Sequence, residues 1–245
     1  MRALRISSIA MALGATALGA TALPAVAQVP PSPIEIAAYT GIHAAAHRGD
    51  VPEIERLVKQ SREVLEYPDQ RGRRPLHIAT FARQRGAIQA LIGMGADHGA
   101  FEHDRYDAVT IAAVADDEES LRVLLAAGAS AKLVTSRYDG TALIAAAHLG
   151  HSNVVRQLIA AGAPLDHVNN LHWTALIEAI VLGDGGARHQ STLQALLDAG
   201  ANTQLADREE RLPIQLAQAR GYDSMVHALN VARAAPSAQS KSERP

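Results

Sequence analysis

The chain has 245 residues, of which 48% are hydrophobic and 20% charged, and its formal net charge at pH 7 is −2. This composition is that of a globular protein long enough to bury a substantial core. The sequence contains no cysteine, which excludes disulfides, thiolate metal sites and a cysteine nucleophile. It also has no basic surplus, so it does not predict a nucleic-acid partner.

Residues 1–27 have the features of a secretory signal peptide. MRALR supplies a positive end, an apolar run rich in Ala, Gly and Thr follows, and AVA precedes Gln28 as a small-x-small cleavage site. We expect cleavage before Gln28, because no stop-transfer pattern follows; an uncleaved membrane anchor is the alternative. The sequence therefore predicts a periplasmic or secreted bacterial protein with no membrane span after signal removal.

Two short segments flank the central part of the chain. Residues 28–40 are interpreted as an N-terminal linker. Residues 234–245 end in PSAQSKSERP, which is small, polar and proline-containing. Such a composition buries too little apolar surface to order itself, so we expect a disordered tail.

Between these segments the sequence repeats with a period near 33 residues. Each unit has an apolar anchor residue that is followed three positions later by alanine; the anchors are Ile42, Leu76, Val109, Leu143, Leu176 and Ile214. Four units then end in Gly-Ala, a helix stop that suits glycine because it has no Cβ. The pattern in each unit thus predicts a turn, a short helix, a second turn and a longer helix. One unit cannot bury its own apolar face, but a stack of units can.

The segments RRPLHIATFA (Arg73–Ala82), GTALIAAAHLGHSNVV and LLAAGA resemble the ankyrin repeat, over about residues 41–232. The last three units look most like ankyrin proteins that bacteria export. The resemblance implies an all-α solenoid of about six helix-turn-helix units with short β-hairpin-like fingers. The domain is expected over 41–233, with units at about 41–68, 69–101, 102–134, 135–168, 169–206 and 207–233.

Some positions depart from the pattern of this family. The first unit has Ser61 where a Gly-Ala stop is expected, and the last has Glu210 and Leu212 in place of Gly and Thr. These end units are interpreted as caps with a polar outer face. The third unit has Asp107 and Thr110 in place of Thr and His, so its turn is expected to be less tight.

No motif in the sequence indicates catalysis or a cofactor. His43 and His47 have the spacing of a helical zinc pair, but His43 occupies the column of the family's turn histidine, so structural roles are favoured. GDGG, residues 183–186, could bind an anion but lacks the Lys-Ser/Thr ending of a phosphate loop, which favours a longer turn. We therefore predict no enzyme, no cofactor and no metal site.

The resemblance implies that a partner binds the concave face, which the fingers and the ends of the first helices form. Four of the eight aromatic residues fall in this predicted surface, and Trp, Tyr and Arg dominate binding energy at interfaces. The alternative is that these rings pack finger against finger. The candidate partner-binding residues are His47, Arg48, Arg71, Arg73, Phe81, Tyr106, Val114, Tyr138, His148, Leu149, Trp173, Val181 and Leu182.

The sequence thus predicts an exported, monomeric ankyrin-repeat scaffold or accessory protein that binds another protein. The alternative is a periplasmic protein that binds a small ligand or a metal.

Overall fold

The computed structural model describes residues 28–234. The predicted signal peptide and residues 235–245 of the predicted tail lie outside this range. The α-helices of the described chain are α1 Pro33–Ala38, α2 Gly41–Arg48, α3 Val51–Gln60, α4 Pro75–Phe81, α5 Arg85–Gly93, α6 Ala108–Val114, α7 Glu118–Ala126, α8 Ala142–His148, α9 Ser152–Ala160, α10 Ala175–Val181, α11 Ala187–Asp198, α12 Pro213–Ala219 and α13 Asp223–Ala234. A 3-10 helix spans Arg62–Glu66, and two short strands are β1 Val134–Thr135 and β2 Gly140–Thr141.

Helices α2 to α13 form six consecutive helix pairs that stack in chain order. The first helices, α2, α4, α6, α8, α10 and α12, pack on one another in one layer. The second helices, α3, α5, α7, α9, α11 and α13, form the other layer. This arrangement confirms the predicted all-α solenoid of six helix-turn-helix units.

The alanine column explains how closely the first helices approach. Ala45, Ala79, Ala112, Ala146, Ala179 and Ala217 are 0–1% exposed and belong to one continuous apolar core. A methyl side chain lets neighbouring helices pack closely, whereas a larger side chain would require them to separate. The repeated alanine is therefore a packing requirement of every unit.

The turns before the first helices are closed by side-chain caps. Thr141 and Thr174 each accept the main-chain N–H of the residue three positions later, at 3.3 Å. Asp107 does the same for Thr110 at 3.0 Å and also accepts from the Thr110 hydroxyl. The looser turn that the sequence suggested for the third unit is therefore not found, because an aspartate caps a helix as well as a threonine does.

The turn histidine of the second unit holds two turns together. The Nδ1 atom of His77 accepts from the Arg74 N–H, and its Nε2 atom contacts the carbonyl of Ala100, both at 3.0 Å. Burial lowers the pKa of His77 to about 4, so the ring is neutral at pH 7 and donates through Nε2. His43, in the same column, contacts the Tyr67 carbonyl at 2.8 Å.

The fingers between units share one hydrogen-bonded design. A side chain at the finger base accepts the N–H groups two and four residues later, as Asp69, Glu102, Asn169 and Asp207 show. In the fourth unit the finger contains the antiparallel pair of β1 and β2. Main-chain hydrogen bonds of 2.9–3.0 Å join neighbouring fingers, for example from Asn170 N–H to the Tyr138 carbonyl. The fingers of the second to fifth units therefore form a continuous edge along the stack.

The segment predicted as a linker contains helix α1, which is docked on the second unit. Ser32 and Glu35 cap this helix reciprocally. The guanidinium of Arg73 binds Glu35 and lies 2.7 Å from Asp69, and the Tyr39 hydroxyl donates to Asp69 at 2.8 Å. Hydrogen bonds from Ser32 and then the Arg73 guanidinium lower the pKa of Glu35 to about 2. Residues 28–40 are therefore an ordered extension of the domain.

The same contacts correct one predicted site residue. Arg73 is only 1% exposed, because Glu35 and Asp69 enclose its charged group. Its side chain has almost no surface to offer a partner. The sequence placed it on a finger but could not show that α1 covers it.

Candidate partner-binding groove

A groove of about 920 Å³ runs along the third to sixth units. One wall comes from the fingers, at Tyr106, 135–141, 169–173 and 208–211. The other comes from the first helices α6, α8, α10 and α12 and the residues that follow them. Because the finger and the first helix recur in each unit, the repeat itself builds a surface that extends across four units.

Eight of the thirteen predicted residues line this groove. They are Tyr106, Val114, Tyr138, His148, Leu149, Trp173, Val181 and Leu182. The other five, from the first two units, are not among its lining residues; they are His47, Arg48, Arg71, Arg73 and Phe81. The repeat columns therefore predict lining residues in the third, fourth and fifth units and none in the sixth.

The aromatic residues of the fingers are half-buried in the groove wall. Tyr106, Tyr138 and Trp173 each line the groove and retain partial exposure. Trp173 also packs against the apolar core. This contact is with the core and not with the ring of another finger, so Trp173 belongs both to the packing of the stack and to the groove surface.

The floor of the groove contains a buried carboxylate that the sequence analysis missed. Glu178 on α10 is 4% exposed. Its Oε1 atom accepts from the side-chain amide of Asn169 at 3.0 Å, whereas Oε2 is buried and has no hydrogen-bond partner among residues 28–234. A buried acceptor without a partner costs about 1–3 kcal/mol, and more when it is charged. The buried carboxylate of Glu178 therefore lowers the free energy of unfolding.

A signal for Glu178 exists in the repeat alignment. The position two residues after the anchor is Ala44, Ile78, Ile111, Ala145 and Leu216 in the other units, and Glu178 alone is polar there. A lone acid in an otherwise apolar column of a repeat protein indicates either a structural network or a binding site.

Burial shifts the pKa of two groove-lining groups, the carboxyl of Glu178 and the imidazole of His148. Desolvation raises the pKa of Glu178 to about 7, against a smaller opposing effect of the Asn169 hydrogen bond. The Nδ1 atom of His148 lies 3.5 Å from Glu178 Oε2. Burial and then the charge of His189 lower the pKa of His148 below its usual value. His148 is therefore largely neutral at pH 7 and does not supply a full counter-charge.

The rim at the sixth unit is charged. Arg208, Arg211 and Arg220 are exposed and line the groove beside Glu209. Arg211 is paired with Asp207 at 2.6 Å and Glu209 at 2.9 Å. The groove thus combines an apolar, aromatic middle, a buried acid on its floor and a mainly basic end.

Within residues 28–234 no group of three or more His, Asp or Glu side chains is arranged to hold a metal ion. In the same range, no helix is long and apolar enough to cross a membrane.

In the GDGG segment, Asp184 accepts from the Gly186 N–H at 2.8 Å and Gly183 accepts from the Tyr222 hydroxyl at 2.9 Å. Those contacts are typical of a turn between helices.

Comparison with known proteins agrees with this architecture. Residues 109–207 match the family described as ankyrin repeats in three copies. The chain is 32% identical over 191 residues to the putative ankyrin repeat protein YahD of Escherichia coli K12, covering 78% of this chain and 94% of that protein.

Solved structures show the same fold. An ankyrin repeat domain from Acinetobacter baumannii has 41% identity and a TM-score of 0.73, covering 78% of this chain and 97% of that one. A chain from the structure of a Bdellovibrio bacteriovorus predatory endopeptidase in complex with an immunity protein has a TM-score of 0.65 at 19% identity, with 79% and 98% covered. At that identity the likeness shows the fold alone. From its repeats, its helix pairs and its 32% identity to YahD, the chain belongs to the ankyrin repeat family.

Proposed function

We propose that this protein is an exported ankyrin-repeat scaffold or accessory protein that binds a partner protein in the groove of the third to sixth units. Ankyrin repeats generally mediate protein–protein interaction and are generally not enzymes. The observation that carries the proposal is the groove itself. Eight of the thirteen residues predicted from the repeat columns line it, and three of these eight are aromatic, out of eight aromatic residues in the whole chain.

The chemistry of the groove supports a macromolecular partner. Half-buried Tyr and Trp side chains supply a large contact area and are enriched among residues that dominate binding energy. The groove is also open along four units, which suits an extended segment of another protein better than a compact molecule. The charged rim at Arg208 and Arg220 supports orientation of that segment.

Partner capture followed by a hydrogen-exchange footprint tests the groove assignment. The protein, with residues 28–245 as bait, is used to isolate partners from a periplasmic extract. Amide exchange is then compared with and without the captured partner. We expect protection at the fingers and first helices of the third to sixth units. Protection confined to the second helices α7, α9 and α11 would contradict the groove assignment.

Export is proposed from the sequence of residues 1–27. The small residues Ala25 and Ala27 suit signal peptidase, which predicts a mature chain that starts at Gln28. Intact-mass measurement of the protein from the periplasmic fraction checks this prediction. A mass that retains Met1 would contradict both the cleavage and the proposed location.

A small ligand is the second candidate occupant. The groove volume of about 920 Å³ falls in the range of small-molecule pockets, about 300–1,000 Å³. A ligand that saturates the site would raise the melting temperature in proportion to the logarithm of its concentration. Such a shift with a metabolite extract from which proteins are removed would favour this candidate.

A further inference from the structure

Glu178 has the features of an anchor for a positive charge that arrives from outside the chain. Its carboxylate lies on the floor of the groove, is 96% buried and has one oxygen, Oε2, without a hydrogen-bond partner among residues 28–234. Folding alone gains nothing from placing an acid at this position, since the equivalent residues in the other five units are apolar. Oε2 is therefore an acceptor in the groove lining that no hydrogen bond within residues 28–234 satisfies.

The finger of the fifth unit is adapted to this acid. At the base of the finger, the second and sixth units have Asp69 and Asp207, whereas the fifth has Asn169. The Oδ1 atom of Asn169 holds the finger by accepting from Trp173 N–H at 3.0 Å, and its amide donates to Glu178. An aspartate there could not donate and would repel Glu178. The amide thus connects the Trp173 finger directly to the carboxylate.

The other charged groups of residues 28–234 leave the ionised form of Glu178 without a full counter-charge. The only imidazole within 4 Å of Oε2 in the described chain is that of His148, which is largely neutral at pH 7. The arginines of the rim lie at the sixth unit, and Arg211 is already paired with Asp207 and Glu209. A cation from the partner would gain both the charge interaction and the hydrogen bond that Oε2 lacks.

The geometry selects an ammonium over a guanidinium. Arginine binds carboxylates best through two parallel hydrogen bonds, which need both oxygens, and Oε1 already accepts from Asn169. A lysine ammonium is a compact charge that needs only Oε2, and its four-carbon stem suits an apolar passage. Tyr138 and Trp173 line the same groove and offer ring faces that attract a cation.

We propose that Glu178 binds the ammonium of a lysine side chain carried by an extended segment of the partner protein. This inference rests on the proposed function, since it specifies the partner chemistry of the same groove. The lysine stem passes the aromatic wall at Tyr138 and Trp173, and its ammonium donates to Oε2. An acidic residue near that lysine would find Arg220 and Arg208 at the basic end of the groove.

The test uses the single tryptophan of the chain, Trp173, as a fluorescent reporter in the groove. The protein as purified from cells is titrated with acetyl-Ala-Ala-Lys-Ala-Ala-amide and with the same peptide carrying norleucine or arginine. The norleucine peptide keeps the stem and removes the charge. We expect the lysine peptide to bind at least tenfold more tightly than the norleucine peptide, and more tightly than the arginine peptide.

Two variants locate the lysine preference. In Glu178→Gln the lysine and norleucine peptides should bind equally, whereas Glu119→Gln, which removes an exposed acid on α7 that does not line the groove, should keep at least a fivefold preference. Equal binding of the two peptides to the wild-type protein would overturn the inference and requires no variant. A lysine preference that survives in folded Glu178→Gln protein would overturn it as well.

The outcomes separate this inference from the proposed function. A groove footprint from a captured partner without any lysine preference would refute the lysine anchor alone. A Glu178-dependent lysine preference together with a partner footprint on another surface would refute the groove assignment and leave Glu178 as a cation site.

Discussion

At the scale of single residues, Glu178 shows how one substitution in a repeat column gives a single unit a distinct chemical group. The column that contains it is apolar in every other unit, and its carboxylate is buried with one oxygen unmatched. His148 of α8 and Asn169 of the finger face it directly, and His189 of α11 contacts the His148 carbonyl at 2.9 Å. Such a residue should be visible in the pH dependence of unfolding.

Glu178→Gln should become increasingly stabilising relative to wild type as the pH rises. The raised pKa, about 7 against 4.5, means that the folded state binds the proton more tightly than the unfolded state. Protonation of Glu178 therefore stabilises the folded state by about 3 kcal/mol below about pH 4.5, and this stabilisation is lost as the pH rises to about 7. Urea unfolding of wild type and variant at pH 5 and pH 8 checks this.

The control for that measurement is Glu119→Gln, which removes an exposed acid from α7. It should leave the wild-type pH profile unchanged. A constant difference between Glu178→Gln and wild type at both pH values would show that Glu178 is ionised throughout.

Some finger residues adopt the left-handed backbone conformation although they are not glycine. Gly72 has this conformation in the second unit, and His172 takes it in the fifth with a φ of 64°. A side chain in this region costs about 1–2 kcal/mol, although glycine itself loses more entropy on folding.

His172→Gly should therefore raise the free energy of unfolding by about 0.5–1 kcal/mol. His172→Ala is the matched control, because it removes the imidazole and keeps the Cβ, and it should give no gain. Thermal melts of the two variants make the comparison. An equal gain from both would mean that the imidazole and not the backbone conformation is unfavourable.

At the scale of elements, the alanine column sets the distance between first helices. Ala146 on α8 is fully buried, and α8 packs against both α6 and α10. Ala146→Leu should lower the free energy of unfolding by about 1–3 kcal/mol through overpacking. Ala160→Leu, at an exposed end of α9, is the control and should change stability little. Chemical denaturation of both variants measures the difference.

The elements were predictable to the extent that they repeat. The anchors and the alanine column predict every helix pair from α2 to α13, because each column repeats one packing contact, and glycine stops mark the ends of four of these pairs. Helix α1 was missed, since it occurs once and is fixed by a contact between Glu35 and a residue 38 positions away, Arg73. A periodic pattern carries no information about such an addition.

The groove was predictable in part for the same reason. Tyr138 and Trp173 were found because the finger column recurs, and Glu178 could have been found as the exception in its own column. The absence of the first two units from the groove lining was not predictable. For Arg73 the reason is the cover by α1, which no repeat column describes.

At the scale of the whole molecule, the groove links the third to sixth units into one surface. Inner units have two neighbours and should unfold after the end units, so the third to fifth units should form the more stable part of the groove and the sixth unit the less stable part. A partner that spans four units would also couple their stability. Binding energy is expected to concentrate at the aromatic finger residues and at Glu178.

Binding free energies of single-residue variants test whether a partner protein is held in this groove. Tyr106→Ala, Tyr138→Ala and Trp173→Ala are compared with Arg156→Ala, whose exposed side chain lies on α9 and is not among the groove-lining residues. Affinity for the captured partner and melting temperature are measured on each variant. We predict that the aromatic variants lose about 2 kcal/mol or more of binding free energy, beyond any loss of stability, while Arg156→Ala binds like wild type. Wild-type affinity in all three aromatic variants would show that the partner does not bind in this groove.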